Sequence, residues 1–255
     1  MKKFVISLIS ATDRRQHIQS EFNKHQVDYE FFDALTPDIA TPYANKLGLN
    51  LSTANLTAGE AACMMSHVTL WEKIINEDLD YATIFEDDIY LGKDSAALLN
   101  STDWIKPDWH IIKIEAFAKK TYLANKTHEV LANKRHVTQL KGKNLGTAGY
   151  ILSKQGAKVY LDYLKSHALL PLDRIMFDDF IHQGSEPVQQ LVPALCIQEM
   201  LLHKNNPSLP SALLKERKDR MKAGKKKGFA KAQKEASRLL TQAKKTLFAK
   251  EVPFK

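Results

Sequence analysis

The stretch Tyr81-Ala82-Thr83-Ile84-Phe85-Glu86-Asp87-Asp88-Ile89 places three consecutive carboxylates directly after a short apolar run. A run rich in Tyr, Thr, Ile and Phe predicts a buried strand, so the acids fall at or just beyond its C-terminal end. Because side chains alternate along a strand, Glu86 and Asp88 are expected to share one face while Asp87 points away. Two carboxylates on one side suit Mg²⁺ or Mn²⁺, whose other ligands are water and substrate phosphates. A solvated acidic turn is the alternative interpretation.

Apolar runs elsewhere in the chain predict an alternation of strands and helices. Thr57 and Glu60 form a capping box before a helix with apolar residues at helical spacing. Such alternation indicates an α/β fold with a mostly parallel sheet flanked by helices. Ligands of these sheets bind beyond the C-terminal strand ends, where Glu86, Asp87, Asp88 and Glu115 are predicted to lie. The predicted strands are residues 4–9, 29–32, 81–85, 109–115, 137–140, 147–152, 188–192 and 194–197.

Local signals predict the other helix starts and one long connection. Asp13 is predicted to open the first helix as part of a capping pair, and Ser153 to cap a later one. Asp173 has the position of an N-cap. Residues 33–56, with several Pro, Asn and Thr residues, are predicted to form a long connection over or near a site. Residues 116–135 are polar and show no clear pattern.

Charge divides the chain into two parts. Of the net charge of +8, residues 215–255 carry +11, from fifteen Lys and Arg against four Asp and Glu, and the remainder carries −3. We predict a near-neutral domain over residues 1–208 and a basic amphipathic helical tail over residues 209–255. The tail favours an anionic membrane surface as its partner, through residues 213–250. A protein partner and a solvated extension are alternatives, whereas nucleic acid is not expected, because no pattern of aromatic interleaving and no known nucleic-acid-binding module accompanies the charge.

The cysteines and the N-terminus indicate a reducing compartment. Cys63 and Cys196 lie in apolar contexts without a nearby His or Cys at metal-ligand spacing, and both are predicted to be buried free thiols. Residues 1–11 imitate a signal peptide, but their apolar run is too short and leads into charged residues. No stretch approaches the roughly 18 apolar residues that a membrane span needs. The expected location is the cytoplasm, with any membrane contact at the surface.

Other charged residues near the predicted strand ends add candidate chemistry. Arg14 carries a guanidinium group, which binds phosphate oxygens bidentately, although a solvated first helical turn is an equal alternative. Glu115, Asp173, Asp178 and Asp179 are candidates for a general base. The chain has no Gly-x-Gly-x-x-Gly, Walker or Gly-x-Ser-x-Gly motif, which argues against a Rossmann dehydrogenase, a P-loop enzyme and an α/β hydrolase.

Eight motifs occur in one order across roughly residues 4–200. They are Phe4-Val5-Ile6-Ser7-Leu8 with Asp13-Arg14-Arg15, Phe31-Phe32-Asp33-Ala34, Gly59-Glu60-Ala61-Ala62-Cys63-Met64-Met65-Ser66-His67, Ile84-Phe85-Glu86-Asp87-Asp88-Ile89, Ile112-Lys113-Ile114-Glu115, Gly146-Thr147-Ala148-Gly149-Tyr150-Ile151-Leu152-Ser153, Pro171-Leu172-Asp173 and Met176-Phe177-Asp178. Together they resemble glycosyltransferase family 25, the bacterial lipooligosaccharide and lipopolysaccharide glycosyltransferases. The resemblance implies an A-type, Rossmann-like glycosyltransferase fold, a nucleotide-sugar donor and inversion at the anomeric carbon.

The resemblance also implies roles for the residues that match the motifs. It assigns Glu86, Asp87 and Asp88 to an acidic motif that binds the diphosphate through Mn²⁺ or Mg²⁺. The expected donor-binding residues are Arg14, Ser66, His67 and Thr147, and the expected catalytic residues are Asp173, as the base, and Glu115. Judged without the resemblance, His67 is more typical of a core histidine.

Members of the family often use UDP-galactose, some use UDP-glucose, and they build onto lipooligosaccharide at the inner membrane face. The resemblance therefore implies a cytoplasmic hexosyltransferase that is peripheral at the inner face of the bacterial inner membrane, with galactose as the expected sugar. Two other classes remain open from the residues alone. One is a metal-dependent phosphotransferase or nuclease that uses the same acids, and the other is a non-catalytic binding module.

Overall fold

The computed structural model describes residues 1–204, 208–209 and 248–255, and it shows thirteen strands and eight α-helices in these residues. The strands are β1 (Lys2–Ser7), β2 (Glu30–Asp33), β3 (Tyr81–Glu86), β4 (Ile89–Leu91), β5 (Ile111–Lys113), β6 (Glu115–Ala116), β7 (Lys120–Thr121), β8 (Leu123–Leu131), β9 (Arg135–Leu140), β10 (Gly149–Ser153), β11 (Val188–Val192), β12 (Cys196–Gln198) and β13 (Lys250–Glu251). The helices are α1 (Thr12–Lys24), α2 (Pro37–Lys46), α3 (Ala58–Asn76), α4 (Ser95–Leu99), α5 (Lys154–Ser166), α6 (Leu172–Arg174), α7 (Phe180–Gln183) and α8 (Glu199–Leu202), with a 3₁₀ turn at Leu51–Thr53 and a π-helical turn at Ile175–Asp179.

Eight strands form the central sheet, in the order β2-β1-β3-β10-β5-β11-β9-β8. Six of them run in one direction. β1 pairs in parallel with β2 and β3, and β5 pairs in parallel with β11. β10 is antiparallel to both β3 and β5, and β9 is antiparallel to both β11 and β8, so the strands on either side of each have the same direction. Only β9 and β10 run the opposite way. The predicted α/β class with a mostly parallel sheet is therefore confirmed. The helical tail predicted over residues 209–255 lies largely outside the described residues.

The central strands are buried on both faces, as expected when helices cover a sheet on both sides. Along β1, Phe4 and Ile6 pack into one core with α2, α3 and α5, whereas Val5 packs into a second core with α1 and α4. The neighbouring strand β3 repeats the division, since Ile84 faces the first core and Phe85 the second. This period of two fixes which side chains are available at the strand ends.

The helix α3 begins and packs as its sequence predicts. The Thr57 Oγ1 accepts a hydrogen bond from the Glu60 backbone N–H at 3.1 Å, and the Glu60 carboxylate accepts one from the Thr57 N–H at 3.0 Å. This reciprocal pair satisfies two N–H groups that would otherwise lack partners at the helix start. Met64, Val68 and Trp71 are fully buried against the sheet, so α3 is held firmly behind β1, β3 and β10.

Several local predictions were wrong. The connection over residues 33–56 contains α2, which accepts Pro37 because the first helical turn needs no N–H donor there. The residue before α1 is Ala11, with no side-chain cap from Asp13. Residues 109–115 form two short strands in different sheets, β5 and β6. Residues 116–135, for which the sequence showed no clear pattern, contain β7 and the whole of the long strand β8.

The chain returns to the domain after the segment that is not described. The strand β13 pairs with β7, the Val252 N–H donates to the Lys119 carbonyl at 3.1 Å, and the Ala194 N–H donates to the Pro253 carbonyl at 2.8 Å. Val252 is buried against Ala116 and Ala194. Residues 250–255 therefore belong to the folded domain, although the sequence groups them with the tail.

Arg135 binds the C-terminal segment 250–255 through the Lys255 carbonyl, and replacing Arg135 is expected to destabilise the fold. Its guanidinium group, which is buried, donates to the backbone carbonyls of Pro193, Ala194, Lys93 and Lys255 at 2.6–3.1 Å. Hydrogen bonds from charged donors contribute about 1.5–3 kcal/mol each, and several are lost together. We expect Arg135→Met to lower the free energy of unfolding by about 3 kcal/mol or more in urea denaturation. The neighbouring exposed Lys134→Met is the control and is expected to stay within about 0.5 kcal/mol.

Candidate active site

The three carboxylates lie where β3 leaves the central sheet. Glu86 is the last residue of β3, and Asp87 and Asp88 form the turn that leads into β4. Glu86 is in register with Ile6 of β1, so Ser7, the last residue of β1, lies beside the turn. Both aspartates are 6% exposed. Buried carboxylates need partners, and here the two aspartates share Arg14 while Ser7 binds Asp87 and Gln198 binds Asp88.

Asp87 is held by the neighbouring strand β1 and by α1. Its Oδ2 accepts a hydrogen bond from the Ser7 Oγ at 2.6 Å, and its Oδ1 pairs with the Arg14 guanidinium. The same guanidinium reaches the Asp88 Oδ2 at 3.4 Å. Asp87 therefore serves as the main anchor of Arg14, whose side chain remains 21% exposed at this edge of the sheet.

Glu86 and Asp88 converge on a single amide. The Gln198 Nε2 donates to the Glu86 Oε2 at 3.2 Å and to the Asp88 Oδ1 at 3.3 Å. The Thr147 hydroxyl fixes the other Glu86 oxygen, Oε1, at 2.6 Å. Glu86 and Asp88 thus share Gln198, whereas Asp87 binds Ser7 and shares Arg14 with Asp88.

The charge of this cluster is only partly balanced by the described residues. Burial, and then the nearby charge of Glu86, raises the pKa of Asp88 to about 7, against the lowering effect of Arg14. Three carboxylates beside one guanidinium leave an excess of negative charge, which a divalent cation would offset. Oxygen donors that converge from two carboxylates are the ligands that Mg²⁺ and Mn²⁺ prefer. The donor set of Glu86 and Asp88 thus fits such an ion.

Glu115 lies behind the turn that carries Thr147. It is fully buried, and its Oε2 accepts hydrogen bonds from the Lys113 Nζ at 2.8 Å and from the Ala148 N–H at 3.1 Å. The Lys113 Nζ also donates to the Gly146 carbonyl at 2.6 Å. Burial raises the pKa of Glu115 to about 7, against the lowering effect of Lys113. Glu115 and Lys113 together hold residues 146–148, and with them the hydroxyl that orients Glu86.

Gly146 is required for this arrangement. Its φ of +87° is in the left-handed region, and a Cβ at this position would lie 2.4 Å from the Glu115 Oε1. Only glycine tolerates both the backbone conformation and the close approach of the carboxylate. The Glu115 carboxylate therefore packs directly against the backbone of Gly146.

Ser66 and His67 lie on α3 and are fully buried. The Ser66 Oγ donates to the Ala62 carbonyl at 2.8 Å and accepts a hydrogen bond from the Leu35 N–H at 2.9 Å, so it ties α3 to the segment after β2. The His67 Nδ1 lies 2.7 Å from the Tyr150 hydroxyl, and its Nε2 lies 3.8 Å from the Glu86 Oε1. His67 thus belongs to the surroundings of the acidic cluster, whereas Ser66 contacts backbone.

Asp173 is separate from these contacts. It lies in the first turn of α6, which is preceded by Pro171 as its N-cap, so the predicted N-cap position of Asp173 was wrong. Its Oδ1 accepts a hydrogen bond from the Arg174 N–H at 2.8 Å. Asp178 pairs with Lys143. In the part of the chain that the structure describes, no hydrogen bond or salt bridge joins Asp173 to the acidic cluster.

Two residues of the site were not predicted from the sequence, Gln198 and Ser7. Gln198 ends β12, which pairs with β4 so that Gln198 is opposite Ile89, next to Asp88. Nothing in the local sequence signals that pairing. Ser7 could have been found, because it ends the strand beside β3 and the carboxyl ends of parallel neighbours meet at one edge. The predicted burial of Cys63 was also wrong, since it is only half-buried, whereas Cys196 is a buried free thiol as expected.

Every helix within the described ranges is too short or too polar to span a membrane.

Comparison with known proteins reveals a consistent set of relatives. The family model described as glycosyltransferase family 25 (LPS biosynthesis protein) matches residues 1–176. A putative glycosyltransferase of Haemophilus influenzae is 37% identical over 99% of this chain and 88% of its own length. The lipooligosaccharide biosynthesis protein lic2B of the same species is 36% identical over 88% of this chain and 86% of its own length. The lacto-N-neotetraose biosynthesis glycosyltransferase LgtB of Neisseria meningitidis is 36% identical, with coverages of 85% and 83%.

Proposed function

Because the chain belongs to glycosyltransferase family 25, we propose that it transfers a hexose, with galactose as the expected sugar, from a UDP-sugar to a lipooligosaccharide acceptor, inverting the anomeric carbon. The main structural support for this proposal is the convergence of Glu86 and Asp88 on Gln198 at the carboxyl end of β3. Relatives named for lipooligosaccharide and lacto-N-neotetraose biosynthesis support an oligosaccharide acceptor.

Glu86 and Asp88 are the proposed ligands of the divalent cation. Mn²⁺ or Mg²⁺ bound there would supply Lewis-acid stabilisation of the charge that grows on the UDP leaving group. Asp87 has a different role in this proposal, because its oxygens are occupied by Ser7 and Arg14. It positions the Arg14 guanidinium, whose exposed part is available to a phosphate oxygen of the donor.

The acceptor hydroxyl needs a base within hydrogen-bond reach when it attacks the anomeric carbon. We assign this role to Asp173, which is half-buried in a short helix and whose carboxylate engages a single backbone N–H. Glu115 is a weaker candidate for the base because it is fully buried and bonded to Lys113. Its proposed role is to position Thr147. Ser66 and His67 support the donor site from α3.

The proposed location is the cytoplasmic face of the inner membrane. Its physical basis is the basic composition of residues 213–250, most of which lie outside the described residues. Anionic vesicles should retain the full-length protein at low salt and release it as ionic strength rises. Retention that is unaffected by salt, or absent, would contradict a charge-driven surface association.

A direct assay tests the proposed reaction. The purified full-length chain is incubated with Mn²⁺, truncated lipooligosaccharide and either UDP-galactose or UDP-glucose, and the product is analysed by mass spectrometry and by NMR of the new linkage. The expected product carries one added hexose with a configuration opposite to that of the donor. A product of retained configuration would exclude inversion. Hydrolysis of a phosphodiester without any sugar donor, and no transfer, would instead favour a phosphotransferase or nuclease.

The Thr147 hydroxyl offers a sensitive test of the metal ligands. Thr147→Val keeps the shape of the side chain but removes the 2.6 Å hydrogen bond that orients Glu86. Loss of a group that orients a metal ligand typically lowers metal affinity or activity by about 10–100-fold. We expect the Mn²⁺ concentration for half-maximal activity to rise by a factor in this range. Thr147→Ser retains the hydroxyl and is expected to stay near the wild type; equal effects in the two variants would contradict the proposed role.

A further inference from the structure

A thiol, an imidazole and a carboxylate lie together at the interface of α3 and β3. Cys63 and His67 are four residues apart on α3, so they lie on the same face of the helix. One ligand atom from each of Cys63, His67 and Glu86 lies within 4.8 Å of the others. The prediction that Cys63 has no partner at metal-ligand spacing was therefore wrong, because helical geometry makes a spacing of four residues sufficient.

His67 provides an independent indication of a ligand at this position. Its side chain is fully buried, and its Nε2 has no hydrogen-bond partner among the residues that the structure describes. Leaving a buried polar atom unpaired costs about 1–3 kcal/mol. The other ring nitrogen, Nδ1, lies 2.7 Å from the Tyr150 hydroxyl, which also receives the Trp71 indole N–H at 3.0 Å. When Nδ1–H donates to Tyr150, the Nε2 lone pair is directed toward Glu86.

We propose that Cys63, His67 and Glu86 bind a zinc ion, with water as the fourth ligand. Zinc accepts sulfur, nitrogen and oxygen donors, and three protein ligands with one water is a common arrangement. Bond lengths of about 2.0–2.3 Å place tetrahedral ligand atoms roughly 3.3–3.8 Å apart. The His67 Nε2 and the Glu86 Oε1 are already 3.8 Å apart, so the approach of Cys63 is the main adjustment required.

The zinc site differs in chemistry from the proposed cation site at Glu86 and Asp88. A thiolate and an imidazole favour zinc over the hard ions Mg²⁺ and Mn²⁺. Zinc binding releases the thiol proton of Cys63, since the thiolate is the ligand. The side chain of Glu86 is 23% exposed, which gives the ion a route from solvent. Thr147 donates to the Glu86 Oε1, the oxygen that faces His67, and Gln198 donates to the Oε2, so both orient Glu86 as outer residues commonly orient metal ligands.

Sharing Glu86 between the two sites has a regulatory consequence. A zinc ion on Cys63 and His67 competes for the carboxylate that the sugar-transfer site needs beside Asp88. Zinc is therefore expected to inhibit transfer supported by Mn²⁺. This consequence depends on the proposed function, whereas zinc binding itself does not.

Cobalt substitution tests the site without any enzymatic assay. The purified, reduced full-length chain is titrated with Co²⁺, and Zn²⁺ is then added as a competitor. We expect a thiolate-to-cobalt charge-transfer band in the near ultraviolet that zinc abolishes at one equivalent. Cys63→Ser should remove the band and weaken zinc binding by about 100-fold or more. Binding without the band, persistence of the band in Cys63→Ser, or no binding of either ion would overturn the proposal.

Two further variants complete the design. His67→Gln should also weaken Co²⁺ binding. Circular dichroism tests whether this variant is folded, and if the variant is unfolded, Cys63→Ser alone decides the outcome. Asp88→Asn is the matched control, because it alters the neighbouring cluster without removing a zinc ligand. It should bind Co²⁺ with an affinity within about threefold of the wild type even if sugar transfer is lost. Intact cobalt binding in a wild-type protein that shows no transferase activity would count against the proposed function only.

Discussion

Replacing Asp88 with Asn is expected to lower kcat/KM for sugar transfer by about 1,000-fold or more and to leave the protein folded. Asp88 and Glu86 are the two carboxylates that meet at Gln198, and the substitution removes one of the two proposed anionic ligands. A factor of 1,000 corresponds to about 4 kcal/mol of transition-state stabilisation, in the range of Lewis-acid assistance by a metal ion. The measurement is the initial rate with UDP-galactose over a range of Mn²⁺ concentrations.

The electrostatics of the cluster explain why the fold should survive this change. Burial, and then the charge of Glu86, raises the pKa of Asp88 to about 7, so ionised Asp88 is not favoured by its surroundings. A neutral amide of the same shape relieves the repulsion with Glu86. Thermal unfolding of Asp88→Asn should therefore occur at or above the wild-type temperature. Turnover within tenfold of the wild type at saturating Mn²⁺ would contradict a role for Asp88 in metal binding.

Asp87→Asn and Asp162→Asn separate this effect from simple loss of charge. Asp87 anchors Arg14, so its substitution is expected to raise the dissociation constant for UDP more than it lowers kcat. Asp162 is exposed on α5, and its substitution should leave both quantities unchanged within about twofold. The same chemical change at three positions then produces three distinct kinetic results.

The elements predicted correctly from the sequence are those that local residues determine. The Thr57–Glu60 capping box lies within four residues, and the strand that ends at Glu86 is a contiguous apolar run. The helix α2 was missed for an equally local reason, because Pro37 and Pro42 are typical of loops. Pro37 occupies the first helical turn, where its missing N–H costs nothing, and α2 continues through Pro42.

The candidate site was predictable only in part, because its remaining partners come from distant parts of the chain. The position of Glu86, Asp87 and Asp88 follows from strand alternation and from the rule that ligands bind at carboxyl strand ends. Gln198, in contrast, is 112 residues after Glu86 and reaches it through the pairing of β12 with β4. No periodicity in the sequence encodes that pairing. The antiparallel insertion of β10 between β3 and β5, which positions Thr147, is likewise a tertiary feature.

Neutralising one member of the Lys113–Glu115 pair is expected to cause the largest loss of stability in the described fold. Both side chains are fully buried, and each is the principal charged partner of the other. Removing one partner of a buried ion pair typically costs about 3–5 kcal/mol, because the remaining charge is left uncompensated. We expect Lys113→Met and Glu115→Gln each to lower the free energy of unfolding by an amount in this range, measured by urea denaturation at pH 7.5.

The double variant Lys113→Met/Glu115→Gln should be more stable than either single variant, because it leaves no unpaired buried charge. Methionine also suits the position, since the Lys113 Nζ lies 4.1 Å from the centre of the Phe177 ring and sulfur packs well on aromatic rings. The exposed pair Lys73 and Glu77 is the control, where the same two substitutions should show a coupling of about 0.5 kcal/mol or less. Additive losses at Lys113 and Glu115 would contradict their description as a coupled pair.

The pH dependence of stability provides a separate readout of the same pair. The pKa of Glu115 is raised from 4.5 to about 7 by burial, so the native state retains this proton over a pH range in which the unfolded chain has lost it. The native state then binds more protons, and the free energy of unfolding falls as pH rises through this range. The stabilising contribution of the protonated carboxyl is complete below pH 4.5 and is lost as pH passes 7. Glu115→Gln should reduce this slope without abolishing it, because the pKa of Asp88 is also raised to about 7, whereas the exposed substitution Glu77→Gln should leave the slope unchanged.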